Sequence, residues 1–393
     1  MFRLPSPFSF APRRAPSRPL WPLAAALLLS GCASSTTVGY YWQSVSGHAE
    51  LMRAARPVDD WLADASTSDA LKQRLRLAQR IRSFASRQLG LPDNASYHRF
   101  ADLGRSAAVW NVVAAPPLSL KLQTWCFPVT GCVGYRGYYK QADAREEAAA
   151  LHGQGLETAV YGVPAYSTLG WFDWAGGDPL LSTFIRYPEG ELARMVFHEL
   201  AHQVVYAPGD TMFNESFATT VERIGRDRWL ATEASGQARA EYARFSGRTA
   251  DFRTLTGETR ERLQQIYARK DQAVDTTTLL AQKTQALQDF RSRYAVLRER
   301  WGGDAAQLAG YDAWVAGANN ASFGTLAAYD GLVPGFQALF ARVSSAPGDP
   351  WPRFYAEVRR LADMPQNQRH AVLKELADEP TPATPLTATA PAA

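Results

Sequence analysis

The sequence predicts a helix-rich α+β protein, and three observations support this prediction. Runs rich in Val and aromatic residues, typical of strands, occur in the first half of the chain. From Leu192 onward, apolar residues recur at helical spacing. The 393 residues are 46% hydrophobic and 11% aromatic, which is enough to bury a sizeable core. We therefore expect an N-terminal α/β module with an edge strand over residues 39–180 and a helical region over residues 181–365.

The N-terminus is typical of an export signal. Four arginines precede a short apolar run over residues 20–29, which is too short to span a membrane. The sequence Leu29-Ser30-Gly31-Cys32 then resembles a bacterial lipobox, in which the cysteine is lipidated. We expect a signal peptide over residues 1–31, a lipid anchor on Cys32 and a tether over residues 32–38. Because Ala33 follows the cysteine, we expect anchoring in the outer membrane, facing the periplasm.

The net charge gives no support for a nucleic-acid partner. The whole chain has 42 basic and 38 acidic residues, but residues 1–31 contain four arginines and no acid. Removing that segment leaves 38 residues of each sign. The mature protein is therefore close to neutral, unlike a typical nucleic-acid-binding protein.

The elements of the α/β module follow from local patterns. Helices are predicted over residues 40–52, 57–89 and 142–152, and strands over residues 110–120, 133–139 and 157–161. Residues 166–171 are the predicted edge strand, to which a substrate main chain would add. Cys126 and Cys132 flank a Pro- and Gly-containing turn, and an exported protein meets oxidising conditions. We therefore predict a disulfide between them.

The helical region is predicted to continue almost to the C-terminus. Beyond residue 192 we expect helices over residues 260–273, 276–301, 304–315, 322–327, 334–343 and 352–364. Residues 379–393 are rich in Pro, Thr and Ala and are predicted to be disordered.

The sequence His198-Glu199-Leu200-Ala201-His202 indicates a metal site. Two histidines four residues apart lie on one face of a helix, so both imidazoles reach one Zn²⁺ and Glu199 faces its water. Apolar neighbours predict that this helix is buried, and a buried cluster of this kind needs a partner for its charge.

A third ligand is expected on the next helix, which Asp210 or Asn214 would cap. Glu215 is our candidate, because the turn at Pro208-Gly209 would bring a second, antiparallel helix back to the metal. Glu222 lies two turns further along the same face. It is the alternative ligand, a partner that orients a ligand histidine, or an exposed carboxylate paired with Arg226.

These residues predict hydrolysis at one zinc ion. Three protein ligands leave a position for water, whose pKa the metal lowers, and Glu199 is the predicted general base. A nearby donor would stabilise the oxyanion of the tetrahedral intermediate. The sequence offers three candidates for that donor: Tyr206, Tyr166 and Tyr329.

The chain resembles the bacterial predicted zinc-dependent aminopeptidases, which are often lipoproteins. Six segments carry the resemblance, at residues 40–48, 125–128, 135–138, 163–171, 196–203 and 210–215. It implies a zincin-like core of the gluzincin kind and a peptide substrate. It also implies His198, His202 and Glu215 as ligands and Glu199 as the base.

Two alternatives stay open at this point. An aminopeptidase must anchor a free α-ammonium group, and the Gly-x-Met-Glu-Asn strand used by well-known gluzincin aminopeptidases is absent. Asp173 and Asp178 are possible substitutes, and an endopeptidase with the same mechanism is the first alternative. The second is a non-catalytic zinc-binding envelope lipoprotein, against which the presence of Glu199 argues.

Overall fold

The computed structural model describes residues 35–127, 131–165, 176–272, 274–303, 305–326 and 331–379. The predicted signal peptide, Cys32, the predicted edge strand at residues 166–171 and the tail from residue 380 lie outside these ranges.

The described chain is helix-rich. Its α-helices are α1 (Ser35–Ala54), α2 (Val58–Ala63), α3 (Asp69–Leu89), α4 (Gln141–Gly153), α5 (Glu189–His202), α6 (Thr211–Thr232), α7 (Gly236–Ala268), α8 (Thr276–Trp301), α9 (Ala305–Gly317), α10 (Asn320–Thr325), α11 (Val333–Ser344), α12 (Trp351–Ala362) and α13 (Gln366–Asp378).

Short strands form three small sheets. The strands are β1 (Arg56–Pro57), β2 (Arg99–Ala101), β3 (Val109–Ala115), β4 (Trp125–Phe127), β5 (Gly131–Val133), β6 (Arg136–Tyr138), β7 (Glu157–Val163) and β8 (Leu180–Leu181). Their orders are β1-β2-β8, β6-β3-β7 and β4-β5. Only β2 and β8 pair in parallel among the described strands. The helix-rich α+β class is therefore confirmed.

Local polar groups explain where the predicted N-terminal helices differ from the observed ones. The helix predicted over residues 57–89 breaks after Ala63, because Asp64 Oδ1 accepts hydrogen bonds from the Ser66 backbone N–H at 2.9 Å and from its hydroxyl at 2.7 Å. This side-chain turn competes with helical hydrogen bonding. Ser68 then caps α3. At the N-terminus, α1 begins at Ser35, inside the predicted tether, because a helix once nucleated extends favourably.

Proline and glycine set the limits of the strands. The strand predicted over residues 110–120 ends at Ala115, because Pro116 and Pro117 cannot donate to a ladder. The strand predicted over residues 133–139 is two strands, β5 and β6, separated at Gly134.

In the helical region, α8 matches its prediction at both ends, whereas α7 begins at Gly236 rather than near residue 260. Ser235 caps α7, its hydroxyl accepting from the Ala238 N–H at 3.1 Å. The last helix, α13, was not predicted.

The main hydrophobic core is continuous across residue 180. It contains Phe84 and Phe100 from the predicted N-terminal module together with Phe197, Phe217 and Phe354 from the helical region. The predicted division at residue 180 therefore does not separate two cores.

Close packing in this core brings α6 against its neighbours. A Cβ placed on Gly225 of α6 would lie 2.6 Å from Leu89 Cδ1 and 2.9 Å from Phe197 Cδ2, so only glycine fits there. A smaller cluster around Phe290 and Phe323 packs α7, α8 and α10 together.

The chain divides into two compact units, residues 1–47 and 48–393. In the first unit the described residues are helical, with Trp42 73% exposed. All three sheets belong to the second unit. None of the helices in the described part of the chain is both long and apolar enough to cross a membrane.

Candidate metal centre

Two consecutive helices and the turn between them position the site. Helix α5 ends at His202, and Gly209 adopts a φ of +79° in the following turn. The Asp210 side chain caps α6 by accepting from the Phe213 N–H at 3.1 Å, as one of the two predicted caps. Asn214 instead closes the turn, accepting from the Ala207 N–H at 2.7 Å and donating to the Ala207 carbonyl at 2.9 Å.

This hairpin brings three potential ligand atoms together. His198 Nε2 lies 3.2 Å from His202 Nε2 and 3.3 Å from Glu215 Oε2, and His202 Nε2 lies 3.8 Å from Glu215 Oε2. Bond lengths of about 2.0–2.1 Å to a tetrahedral zinc ion would place two ligand atoms roughly 3.3 Å apart. The three residues form a group that could hold a metal ion, and their spacing and donor types fit zinc.

A buried charge network orients one of these histidines. His198 Nδ1 donates to Glu222 Oε2 at 2.9 Å, which leaves Nε2 facing the other two ligand atoms. Glu222 in turn accepts from Arg194 at 2.6 Å, and Arg194 also donates to Glu191 at 2.6 Å. His202 Nδ1 has no hydrogen-bond partner among the described residues, so packing holds that ring.

The same contacts shift the ionisation of the cluster. Burial lowers the pKa of His198, but its hydrogen bonds to Glu215 and Glu222 outweigh that effect and hold the pKa well above its ordinary value. Burial lowers the pKa of His202 to about 4. Burial raises the pKa of both glutamates. The neighbouring His198 nevertheless brings the pKa of Glu215 below its usual value, and Arg194 does the same for the pKa of Glu222. These contacts favour the protonated form of His198, whose ring lies between two carboxylates.

A cleft of about 340 Å³ opens beside the cluster. Its walls come from the end of β7, from one face of α5, from α6 and from α7. The lining residues are Val163, Pro164, Ala165, Arg194, Met195, His198, Glu199, Thr219, Glu222, Arg223 and Arg253. Glu199 therefore faces open space next to His198, where a general base has access to a substrate.

Two tyrosines lie within electrostatic range of Glu215. Burial, and next the charge of Glu215, raise the pKa of Tyr206, which is in the turn between α5 and α6. Burial also raises the pKa of Tyr161 on β7; its hydroxyl accepts from Asn111 Nδ2 at 3.4 Å, and the Glu215 charge adds to the rise. Both phenols are therefore neutral donors at neutral pH.

Tyr97, which lies within electrostatic range of Glu199, has a φ of +68° and is the only non-glycine residue with positive φ in the described chain. Burial raises its pKa, and the charges of Glu199 and Asp178 raise it further. The Tyr97 N–H donates to the Asp178 carbonyl at 2.7 Å, so packing with this segment offsets the backbone strain.

Comparison with known proteins places the chain in a family. The family model described as putative aminopeptidase matches residues 39–373. The chain belongs to the putative aminopeptidase family. No curated protein and no solved structure gave a match. Membership in this family supports a peptidase-like function and a peptide substrate.

The family match covers the predicted site residues other than Cys32, and the structure brings five of them together. His198, His202 and Glu215 converge, and Glu199 adjoins them. Glu222 hydrogen-bonds His198 and is buried, so it is not the exposed partner of Arg226, which bonds Asp227 instead.

The remaining predicted residues divide into two groups. Tyr166, Tyr329 and Asp173 lie outside the described residues. Asp178 is described, but it is only 1% exposed and packs against Ser96 and Tyr97, so it does not line the cleft. An ammonium anchor at Asp178 therefore has no support in the structure of this aminopeptidase-family member.

Sequence reasoning missed two residues of the site. Arg194 lies three residues after Glu191 and four before His198, so its helical spacing to both was a usable signal. Tyr161 was assigned to a strand, but its proximity to Glu215 depends on tertiary packing, for which the sequence carries no local signal.

The predicted disulfide joins Cys126 to Cys132 across the paired strands β4 and β5. Gly131, the first residue of β5, packs on the turn between α5 and α6, because a Cβ placed on it would lie 3.1 Å from Gly209 Cα.

Proposed function

We propose that this protein is a zinc-dependent metallopeptidase of the bacterial cell envelope that removes N-terminal residues from peptides. The observation that carries the proposal is the triangle of ligand atoms from His198, His202 and Glu215, with edges of 3.2, 3.3 and 3.8 Å. Peptidase family membership supports the reaction class.

The donor set argues for a catalytic rather than a structural site. Structural zinc sites close with four protein ligands and are rich in cysteine. Here two imidazoles and one carboxylate converge beside an open cleft, and the two cysteines of the described chain are joined in a disulfide. A position for water therefore remains.

Each residue of the cluster has a distinct role in hydrolysis. A bound zinc ion lowers the pKa of a water molecule and polarises a carbonyl group. Glu199 accepts the proton of the attacking water and delivers it to the nitrogen of the leaving amine as the C–N bond breaks. Glu222 holds His198 in the tautomer whose Nε2 is available as a ligand, and Arg194 keeps Glu222 ionised.

The fold around the site is consistent with a zincin-like core. The end of β7 forms one wall of the cleft beside α5, the helix that carries both histidines. An extended substrate lying along this wall would bring its scissile carbonyl next to Glu199. Tyr206 and Tyr161 are the described candidates for the oxyanion donor.

The experiment is a matched comparison of wild-type protein and Glu199→Gln, both lacking Cys32, with zinc content measured first. Free and N-acetylated peptides are then incubated with each, and products are read by mass spectrometry. We expect one zinc in both proteins, stepwise trimming of free peptides by the wild type only, and a loss of at least about 10²-fold in the variant.

Other outcomes separate the alternatives. Internal cleavage of both peptide sets would make the protein an endopeptidase with the same chemistry. Bound zinc with no cleavage by either protein would contradict a peptidase and favour the non-catalytic lipoprotein. Envelope location is proposed from the lipobox-like sequence at Cys32, and globomycin-sensitive processing of the precursor tests it.

A further inference from the structure

A second groove, of about 790 Å³, lies between α7 and the loop that joins β3 to β4. We call it the α7 groove, and it is larger than the cleft of about 340 Å³ at the metal cluster. Much of its lining is apolar, with side chains from the loop, from the first turn of α6 and from the last turns of α7: Leu118, Leu120, Leu122, Met212, Tyr267 and Ala268. The α7 groove is therefore suited to the apolar side chains of a ligand.

One buried side chain fixes both walls of the α7 groove. Asn320, which is fully buried, donates to the carbonyl groups of Pro116 and Pro117 at 2.9 and 2.8 Å, at the start of the loop. The hydroxyl group of Tyr267 donates to Asn320 Oδ1 at 2.6 Å, which ties α7 to the same residue. These contacts hold the walls in place before a ligand binds, so binding needs little reordering of the protein.

The charged groups of the α7 groove are cations with unused hydrogen-bonding capacity. Arg260 Nε is buried and has no hydrogen-bond partner among the described residues, and Arg260 Nη1 donates to Gln264 Oε1 at a long 3.5 Å. Lys121 is exposed, and its ammonium group makes no ion pair or hydrogen bond with the described part of the chain. The described lining also contains no carboxylate. Because a buried N–H without an acceptor is unfavourable, an anionic group of a ligand would be stabilised beside Arg260.

The α7 groove and the cleft lie on either side of a proposed zinc ligand along α6. Met212 lines the groove and Thr219 lines the cleft, and Glu215 lies between them, about one helical turn from each. On α7, Arg253 lines the cleft and Arg260, two turns later, lines the groove. A peptide that occupies both spaces would therefore pass Glu215.

We propose that the α7 groove binds the part of a peptide substrate that follows the scissile bond, and that it favours segments combining acidic and apolar residues. An aminopeptidase leaves one residue before the scissile bond, so the larger space suits the longer remainder of the peptide. Arg260 binds a carboxylate through charge-assisted hydrogen bonds, Lys121 adds positive charge, and the leucines of the loop contact apolar side chains. The inference rests on the proposed peptidase function and specifies its substrate class.

Binding is measured on zinc-loaded Glu199→Gln protein, in which substrate is held without turnover. Three ligands are compared by calorimetry: Ala-Leu-Glu-Leu-Glu amide, Ala-Leu-Gln-Leu-Gln amide and Ala-Ser-Glu-Ser-Glu amide. The amide removes the terminal carboxylate, so only side chains differ. We expect the first peptide to bind on the order of 10- to 100-fold more tightly than the second, the range for one hydrogen bond to a charged group. It should bind on the order of tenfold more tightly than the third, because serine buries little apolar area.

Arg260→Gln, in the Glu199→Gln background, is expected to remove most of the preference for the glutamate peptide over the glutamine peptide. Arg260→Lys is expected to keep part of it, which separates loss of charge from misfolding. Lys121→Gln should reduce the preference by less, because solvent screens an exposed charge. Arg262→Gln is the matched control and should keep the full preference, since Arg262 is an exposed arginine on the same helix that pairs with Asp289 outside the groove lining.

Equal affinity for the glutamate and glutamine peptides would overturn the inference, as would a preference that survives Arg260→Gln or is lost equally in Arg262→Gln. Equal affinity for the leucine and serine peptides would contradict the apolar contacts. Wild-type turnover distinguishes these failures from failure of the proposed function. Cleavage of the glutamate and glutamine peptides with the same kcat/KM leaves the peptidase and removes the groove preference, whereas selective, Arg260-dependent binding without turnover of any peptide does the reverse.

Discussion

Two helix pairs of similar composition use their charged residues in opposite ways. In the α5–α6 pair, Glu191 and Glu222 are almost fully buried and share Arg194. In the α7–α8 pair, Arg262 and Asp289 also meet, at 2.5 Å, but their side chains are 48% and 40% exposed. Arginine–carboxylate ion pairs are thus buried in the α5–α6 pair and exposed to solvent in the α7–α8 pair.

Burial accounts for the difference. Solvent screens an exposed pair, which therefore adds little to stability. A buried charge must have a partner or lose its charge, so each member of the α5–α6 network depends on the others. The buried network adjoins the histidines of the proposed metal site, and the exposed pairs carry no comparable cluster in the described chain.

The largest expected effect comes from removing the carboxylate of Glu215, a proposed zinc ligand, from the α5–α6 helix pair. Glu215→Gln removes the anionic oxygen from the triangle of proposed ligand atoms. We therefore expect the variant to lose its zinc and its activity to fall by more than about 10³-fold, which is near the full contribution of the metal. Glu258→Gln on α7 is the matched control. Zinc content by mass spectrometry and peptide turnover check both, and a zinc-replete, active Glu215→Gln protein would exclude Glu215 as a ligand.

A pair of double-mutant cycles tests the comparison directly. Removing Glu222 leaves Arg194 with Glu191 alone and takes away the acceptor of His198 Nδ1, both in buried positions. We therefore expect Glu222→Ala to lower the free energy of unfolding by roughly 3 kcal/mol and to couple strongly to Arg194→Ala. The Arg262 and Asp289 cycle should show no measurable coupling, because solvent screens that pair. Urea unfolding gives all the values, and similar coupling in the two cycles would remove burial as the explanation.

The N-caps of α6 and α8 offer a second, smaller contrast. Both are aspartates, but Asp210 is buried and also accepts from His370 of α13 at 2.8 Å, whereas Asp275 is exposed and bonds only within its own first turn among the described contacts. Asp210→Ala should lower the free energy of unfolding by about 2 kcal/mol, at the upper end of the range for an N-cap. Asp275→Ala should cost less. Thermal unfolding measures both, and a larger loss at Asp275 would reverse the interpretation.

The pH dependence of the cluster adds a prediction of modest size. The raised pKa of His198 means that the metal-free folded protein binds a proton more tightly than the unfolded chain does. That stabilisation is complete below the ordinary histidine pKa and is lost as pH rises through the folded-state pKa. Zinc must displace the same proton, so its affinity should fall about tenfold per pH unit on acidification. The low pKa of His202, about 4, adds no second proton above that pH.

Calorimetry in two buffers of different ionisation enthalpy checks this prediction. We expect release of about one proton per zinc ion at neutral pH. Glu222→Gln should reduce the release, because it removes one carboxylate that keeps His198 protonated. Zinc binding without proton release in the wild type would show that His198 is neutral before the metal binds.

The sequence predicted the parts of the site that lie within one stretch of chain. The spacing of His198 and His202 and the return of Glu215 after a Pro-Gly turn follow from helix periodicity and turn chemistry. Asp210 as a cap has a local signal as well. The three possible roles of Glu222 could not be separated, because burial and the position of Arg194 decide between them.

Parts of the fold built by distant contacts were harder to predict. No local sequence signal links Tyr161 to Glu215, or α13 to Asp210, because both depend on the tertiary packing of distant segments. The break between α2 and α3 was missed although residues 64–69 form a polar stretch, in which Asp64 makes the turn and Ser68 caps the next helix. The shared core across residue 180 shows the same limit, since periodicity assigns elements but not their neighbours.

The three ligand candidates lie within 18 consecutive residues, from His198 to Glu215, whereas the cleft walls extend from Val163 to Arg253. Contacts close in sequence require little loop closure and form early in folding. The proposed metal site is thus built from one short stretch of chain, whereas the cleft depends on contacts between distant segments. Zinc content would therefore report on the α5–α6 hairpin and not on the cleft walls, so a variant that keeps its zinc has not been shown to keep its cleft.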